Sequence, residues 1–348
     1  MRSNQPKYKD QQGLVSIIVT MIIMFILTLI VLGFAQLSRR EARQSLDRQL
    51  AQQANYAAEA GVNDAFRAIK SGFTTDKNTC GPDSSIPALA KNQLNASGSV
   101  QYSCLLIKQS SNTLEFGNID TEKSSVLPMN NKSSGTPLGT IIVSWQRNAA
   151  PATNNYPGAG GNFPSYSGWA TNNNAGILRL DLIPTNGSLK RNDLISNSGA
   201  AFLYPSGSGS PGIVNTPFAA GDGSGIIASA KCNSSNGPYT CRASISGLNS
   251  DKYYLRLKSI YMPNKVSICM ADSTGLACDT TKEFSGGQIV IDSTGKAQDV
   301  VKRINTRILN PNVTKGNDYP ENVFQALDGF CKKFDVWRGG FNNSTPGC

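Results

Sequence analysis

The 348-residue chain carries eight cysteines and no histidine, and this fixes the chemistry open to it. Cys80, Cys104, Cys232, Cys241, Cys269, Cys278, Cys331 and Cys348 are even in number, and two successive pairs, Cys232/Cys241 and Cys269/Cys278, are each nine residues apart. Structural zinc prefers paired C-x-x-C knuckles or mixed Cys/His sets. Neither occurs here, so the cysteines read as disulfides formed in an oxidising compartment. Pairing between nearest neighbours, closing four short loops, is the expectation, although sequence alone leaves other connectivities open. Without histidine there is no Ser-His-Asp triad, no Cys-His pair and no imidazole metal ligand. Two catalytic-looking strings fail on context. Gly207–Gly212 matches G-x-G-x-x-G, but Pro211 and the GIVNTPF that follows give no helix to receive a phosphate. Ser293-x-x-Lys296 matches S-x-x-K but falls on an expected hairpin turn. The chain reads as a non-enzyme with no cofactor and no metal.

Eight disulfide-forming cysteines need to reach an oxidising compartment, and the N-terminus offers the means. Between Gly13 and Ser38 the chain runs 26 residues without a charge, and no proline interrupts it between Pro6 and Pro82. As a helix the uncharged run spans about 39 Å, more than the ~30 Å hydrocarbon core of a bilayer. It is too long for an ordinary cleaved signal and leads into more helix rather than into a cleavage-prone loop. Arg2, Lys7 and Lys9 precede it and Arg39, Arg40, Arg43 and Arg48 follow, so flanking charge does not orient it. The cysteines do, placing everything beyond the helix outside the cell. A plain uncleaved signal anchor is the rival reading of the same run.

The helical pattern continues to about Ser71. Leu46, Leu50, Ala54, Ala57, Gly61, Val62, Ala65 and Ile69 recur mostly at steps of three and four and form one apolar stripe. Arg43 and Asp47 are spaced to pair across one turn. The small residues Ala57–Gly61 would let another element approach closely.

About 277 residues follow Ser71, enough for one large domain or two small ones. Strand-like runs are Val100–Ile107, Gly139–Trp145, Gly176–Ile183, Tyr253–Tyr261, Val266–Met270, Gln288–Ile291 and Asp299–Leu309, with Ile291–Lys296 as the turn joining the last two. Asn148–Asn174 and Pro205–Gly225 read as long loops, and Tyr156, Phe163, Tyr166 and Trp169 make the first a candidate contact surface. Net charge is +10, of which the first 72 residues, with nine basic and five acidic side chains, supply +4. The remainder is spread over the large domain. Arg256 and Lys258, and Arg303 and Arg307, are the candidate contacts for an anionic partner, DNA included.

The segment Gln11–Gly61 resembles the N-terminus of type IV pilus proteins, most closely the PilX-type minor pilins. The likeness rests on Gln12-Gly13, on LTLIVLGFAQLSRREA and on AQQANYAAEAGVNDA. It implies a leader cut after Gly13 by a prepilin peptidase, leaving Leu14 at the N-terminus. It implies assembly with other pilins through the apolar helix, with stretches such as Ile22–Leu32 packed against neighbours, and it points to Arg40, Glu41 and Glu59 as assembly residues. Major pilins carry Glu at the fifth position after the cut and usually begin with Phe. Ile18 and Leu14 stand there in this chain, which implies a minor component over the main fibre subunit. Cys331 and Cys348 are similar to the C-terminal disulfide loop of many pilins.

The expected architecture is α+β. Residues 1–13 are the leader. Residues 14–72 are the long helix, membrane-spanning in its first half. Residues 73–348 are a mainly antiparallel, disulfide-stapled extracellular head of one or two subdomains, on which the helix packs. The expected function is structural: a minor pilin or pseudopilin of a type IV filament, helping to initiate or tip the fibre and exposing its head for adhesion to a host or neighbouring cell. It would reside in the cytoplasmic membrane before assembly and in the surface filament afterwards. Two alternatives stay open, an uncleaved membrane-anchored extracellular binding protein and a DNA-capturing minor pilin.

Overall fold

A computed structural model describes residues 12–148, 168–169, 174–185, 196–206, 214–221, 225–232 and 239–312. The elements are helix α1 (Gln12–Lys70), a 3-10 turn (Pro87–Leu89) and thirteen strands. These are β1 (Val100–Ser111), β2 (Thr113–Ile119), β3 (Ser125–Asn131), β4 (Gly139–Arg147), β5 (Ile177–Pro184), β6 (Gly199–Ser206) and β7 (Val214–Pro217). They continue with β8 (Gly225–Cys232), β9 (Cys241–Leu248), β10 (Lys252–Ile260), β11 (Asn264–Met270), β12 (Phe284–Ala297) and β13 (Val300–Leu309). The chain is α+β with a mostly antiparallel sheet. It divides into two compact units.

The first unit contains α1 up to Gly61 together with residues 92–104 and 293–304. From Ser16 to Gln49 every helical residue is exposed, because the apolar half has no partner among the described residues. Burial begins at Leu50 and continues through Ala54, Ala57, Ala58 and Gly61. The stripe therefore starts one step later than its spacing suggests: Leu46 is 52% exposed, whereas Leu50 closes a small core with Ala54, Ala297, Val100 and Val300. Arg43 and Asp47 make no ion pair among the described residues.

Small residues are required here because the helix and the strand approach each other closely. A methyl group at Gly295 would lie 2.0 Å from the Ala54 carbonyl oxygen and 2.4 Å from the Ala58 nitrogen. At Gly61 it would lie 2.3 Å from Ser293 Oγ and 3.1 Å from the Tyr102 ring. The expected turn at Ile291–Lys296 is thus corrected. Those residues continue β12, and the reversal into β13 occurs at Gln298, whose φ is 53° and whose N–H donates to Ser99 O at 2.9 Å. Ser293 and Lys296 lie on a strand, not on a turn.

The second unit begins with the end of α1 and contains most of the sheet. Ala65, Ala68 and Ile69 are fully buried. The helix stops after Lys70 because Gly72 takes a φ of 106°, which lets the Phe73 N–H reach back to Ala68 O at 3.0 Å. Arg67 and Lys70 occupy the last turn, where the helix dipole favours cations. The Ile69 carbonyl accepts from the Gly72 N–H at 3.0 Å and from Asn312 Nδ2 at 2.8 Å.

The strand order is β3-β10-β5-β6-β8-β9-β4-β11-β2, with β7 alongside β9. Along this path β6–β8 and β7–β9 pair in parallel and the other described pairings are antiparallel. Alternation fixes the inner face: Leu178, Leu180 and Leu182 of β5 and Tyr253, Leu255 and Leu257 of β10 point inward with the residues between them outward. One core cluster runs from Leu114 and Phe116 of β2 to Leu127 and Met129 of β3. Strands from both ends of the order share that core, so the sheet curls around a single apolar interior. The loop expected at Pro205–Gly225 is also corrected, since Pro205 and Ser206 end β6 and Val214–Pro217 form β7.

Candidate functional site

Gly13 and Leu14 lie on the first turn of α1, while residues 1–11 are outside the described residues. From Ile17 to Leu37 the large apolar side chains are exposed on all sides of the helix, Ile18 at 50%, Phe25 at 66% and Phe34 at 68% among them. Among the described residues this is the one helix long and apolar enough to cross a membrane. Thr20 and Thr28 do not break the apolar surface, because their hydroxyls donate to carbonyls one turn back, Ile17 O at 2.9 Å and Phe25 O at 2.7 Å. Arg40 and Glu41 are exposed and project from the helix just beyond the uncharged run. Glu59 is exposed and accepts a hydrogen bond from Asn55 Nδ2 at 2.8 Å, one turn earlier. The small residues flanking it, Ala57, Ala58 and Gly61, are buried in the first unit. The helix is therefore smooth where it faces its own chain and apolar all round where it faces nothing.

Cys232 is bonded to Cys241, and Cys269 to Cys278. Cys80 and Cys104 are also in disulfide form, and Cys331 and Cys348 lie outside the described residues. The Cys269–Cys278 loop is further held by Asp272, which accepts from Thr274 Oγ1 at 2.6 Å, so the Asp272 carboxyl sits below its ordinary pKa. A second clamp lies at the end of β3. There Lys132 Nζ meets Glu283 Oε2 at 2.5 Å and Ser110 Oγ donates to the same oxygen at 2.7 Å. The Lys132 bond, and then the Ser110 bond, hold the Glu283 carboxyl below the usual range. Burial lowers the Lys77 ammonium, opposed by Asp83. Its Nζ donates to Thr79 O. These groups tie loops down, and no cluster of metal-ligating side chains occurs among the described residues.

The four candidate anion contacts separate. Arg307 of β13 is engaged by Glu115 Oε1 at 3.3 Å, Ser111 Oγ at 2.8 Å and Thr113 O at 2.6 Å, so its guanidinium joins strand ends within the unit. Arg303 is exposed on β13. Arg256 and Lys258 lie on the outward face of β10, and the sheet brings to them three residues that strand alternation in ILRLDLIP and GAAFLYPS could have flagged. Lys258 stands opposite Arg179 and Arg256 opposite Asp181. Arg179 in turn stands opposite Phe202. Asp181 accepts from Arg179 Nε at 2.9 Å and lies 3.9 Å from Arg256 Nε, and the Arg179 guanidinium lies 5.5 Å from the Phe202 ring centre.

Of the aromatic residues expected to form a contact surface, Tyr156, Phe163 and Tyr166 lie outside the described residues, as does Gly207–Gly212. Trp169 is corrected. It is fully buried, its ring 5.1 Å from that of Tyr261, and its indole N–H donates to Ala175 O at 3.0 Å. It is an anchor, held with a neighbouring polar knot in which Trp145 Nε1 donates to Gly176 O and the Gly176 N–H to Asn264 Oδ1, both at 3.0 Å.

In comparisons with known proteins, no curated protein and no solved structure matches the chain. One family model does, over the region where the helix passes from apolar to amphipathic: residues 12–63 match the family described as PilX N-terminal, so this segment is similar to the PilX-type N-terminal domain of type IV pilins.

Proposed function

We propose that the chain is a minor pilin or pseudopilin, a structural subunit that helps initiate or tip a type IV filament and displays its β-rich domain for surface adhesion. The observation that carries this reading is the helix surface. A helix apolar on every side from Ile17 to Leu37 needs lipid before assembly and equivalent helices after it. Cleavage after Gly13 by a prepilin peptidase would free Leu14 as the new N-terminus. Arg40 and Glu41, just past the apolar run, would set axial register by pairing between subunits, and Glu59 would offer a carboxylate on the exposed side of the docked segment. In this reading the disulfide-bonded domain lies outside the cell and the subunit moves from the cytoplasmic membrane into the filament.

N-terminal peptide mass spectrometry on protein from native membranes and from sheared surface filaments tests this. A start at Leu14, methylated and present in the sheared fraction, supports filament membership. An intact Met1 found only in membranes refutes it and leaves the uncleaved, membrane-anchored binding protein.

A further inference from the structure

We infer that the outward face of β5, β6 and β10 is a docking platform for single-stranded nucleic acid. This goes beyond the filament reading and does not need it. Six side chains form the platform. Lys258, Arg179 and Phe202 stand in one row across three adjacent strands, Arg256 and Asp181 in the next, and Tyr254 of β10 in the row after that. With neighbouring strands ~4.8 Å apart and alternate residues ~6.8 Å apart, the platform covers roughly 10 Å by 14 Å. All six side chains are half-buried, and each alternates along its strand with inward, buried neighbours.

Three cations face one carboxylate, so the platform is net positive. Asp181 accepts from Arg179 Nε at 2.9 Å and Ser124 Oγ accepts from Arg256 Nε at 3.0 Å, with Asp181 3.9 Å away, which orders both guanidinium groups before any ligand arrives. Phe202 supplies an outward ring beside them, and Tyr254 supplies a second two rows away. Cations that track a backbone, interleaved with rings on which bases stack, are the pairing that unpaired nucleic acid uses. A duplex hides its base faces from a flat sheet, and a sulfated polysaccharide has no base to stack.

Full-length protein in detergent micelles is titrated against a labelled oligothymidylate of roughly 30 nucleotides, read by fluorescence anisotropy from about 25 to 200 mM salt. The expected result is binding in which the three cations contribute about −2 to the slope of log affinity against log salt. Lys258→Glu, a single exposed-face reversal, should weaken binding about tenfold near 50 mM salt. Phe202→Leu keeps apolar bulk but removes the stacking face, and should also weaken it about tenfold. Absence of binding at the lowest salt overturns the inference. So does equal affinity for heparin or duplex with Phe202→Leu unchanged, which would leave only nonspecific charge attraction.

Discussion

Replacing Gly295 by alanine should undock the helix from its strands. The new methyl would lie 2.0 Å from Ala54 O, 2.4 Å from Ala58 N and 3.0 Å from Ala57 C, all of them backbone atoms that no rotamer change can move. Overpacking of a filled core costs about 1–3 kcal/mol, and relief of a strand glycine returns roughly 0.5–1 kcal/mol. An immovable neighbour places the contact at the upper end, so the net loss is about 2 kcal/mol. The opposite glycine behaves differently. At Gly61 the methyl meets Ser293 Oγ at 2.3 Å, and that hydroxyl is buried with no hydrogen-bond partner. Ser293→Ala removes both the obstruction and an unsatisfied group, and alanine in a helix is favoured over glycine by about 1 kcal/mol. Gly61→Ala alone should therefore destabilise, Ser293→Ala should be neutral or stabilising, and the double variant should return close to the parent. Their coupling should be about 1 kcal/mol or more. Hydrogen exchange of the peptides covering 50–61 and 293–297, in detergent-solubilised full-length protein, reads this local opening directly, with about tenfold faster exchange per 1.4 kcal/mol. Gly295→Ala should exchange roughly 30-fold faster. Unchanged exchange in Gly295→Ala would refute backbone contact as the reason for that glycine, and a double variant as loose as Gly61→Ala would refute the Ser293 hydroxyl as the reason for the other.

Four further outcomes are expected. Trp169→Ala removes a fully buried ring from beside Tyr261 and leaves Ala175 O without its donor, so the urea midpoint should fall by an amount equivalent to about 3–5 kcal/mol. Glu283 has its pKa depressed by Lys132 and Ser110, so its stabilisation is present above the unfolded carboxyl value of about 4.3 and is lost as pH falls through the folded one. Glu283→Gln should therefore be less stable at neutral pH and show a shallower loss of thermal midpoint below about pH 4. Opening the Cys269–Cys278 loop with Cys269→Ala/Cys278→Ala should lower unfolding free energy by about 2–3 kcal/mol, the loop-closure term for so short a ring. Ile26→Arg, near the centre of the uncharged run, should raise insertion free energy by about 3 kcal/mol and move protein out of the carbonate-resistant membrane fraction.

The helix was legible because composition alone defines it: an uncharged run without proline has few folded alternatives. The sheet was harder to read where side chains play two roles. Ile291–Lys296 has the composition of a turn, but Ser293 and Gly295 are small because a helix backbone lies against them. The true reversal uses Gln298 at a positive φ, for which glutamine gives no signal. Gly117 within β2 and Pro128 within β3 concealed two strands behind residues that usually end them. From β6 to β9 several inward positions are alanines, Ala201, Ala228, Ala230 and Ala243, so the apolar alternation is faint. Trp169 illustrates the opposite error, an aromatic in a loop-like composition that is buried rather than displayed. Arg256 and Lys258 could be picked out as basic, but their pairing with Asp181, Arg179 and Phe202 depends on strand order across distant segments. No local pattern encodes that order.

The corner between β10 and β11 has a consequence for how this chain tolerates change. The Asn148 N–H donates to Pro263 O, and its side chain to Asn118 Oδ1. Twenty-one positions later Trp169 lies against Tyr261, and Gly176 could bear no side chain without striking Met262 O. Asn148, Trp169 and Gly176 are thus each fastened to the same short corner. The corner acts as a rivet: Asn148, Trp169 and Gly176, far from it in the chain, are all held by residues 261–264, so a change that shifts this corner loosens three segments at once.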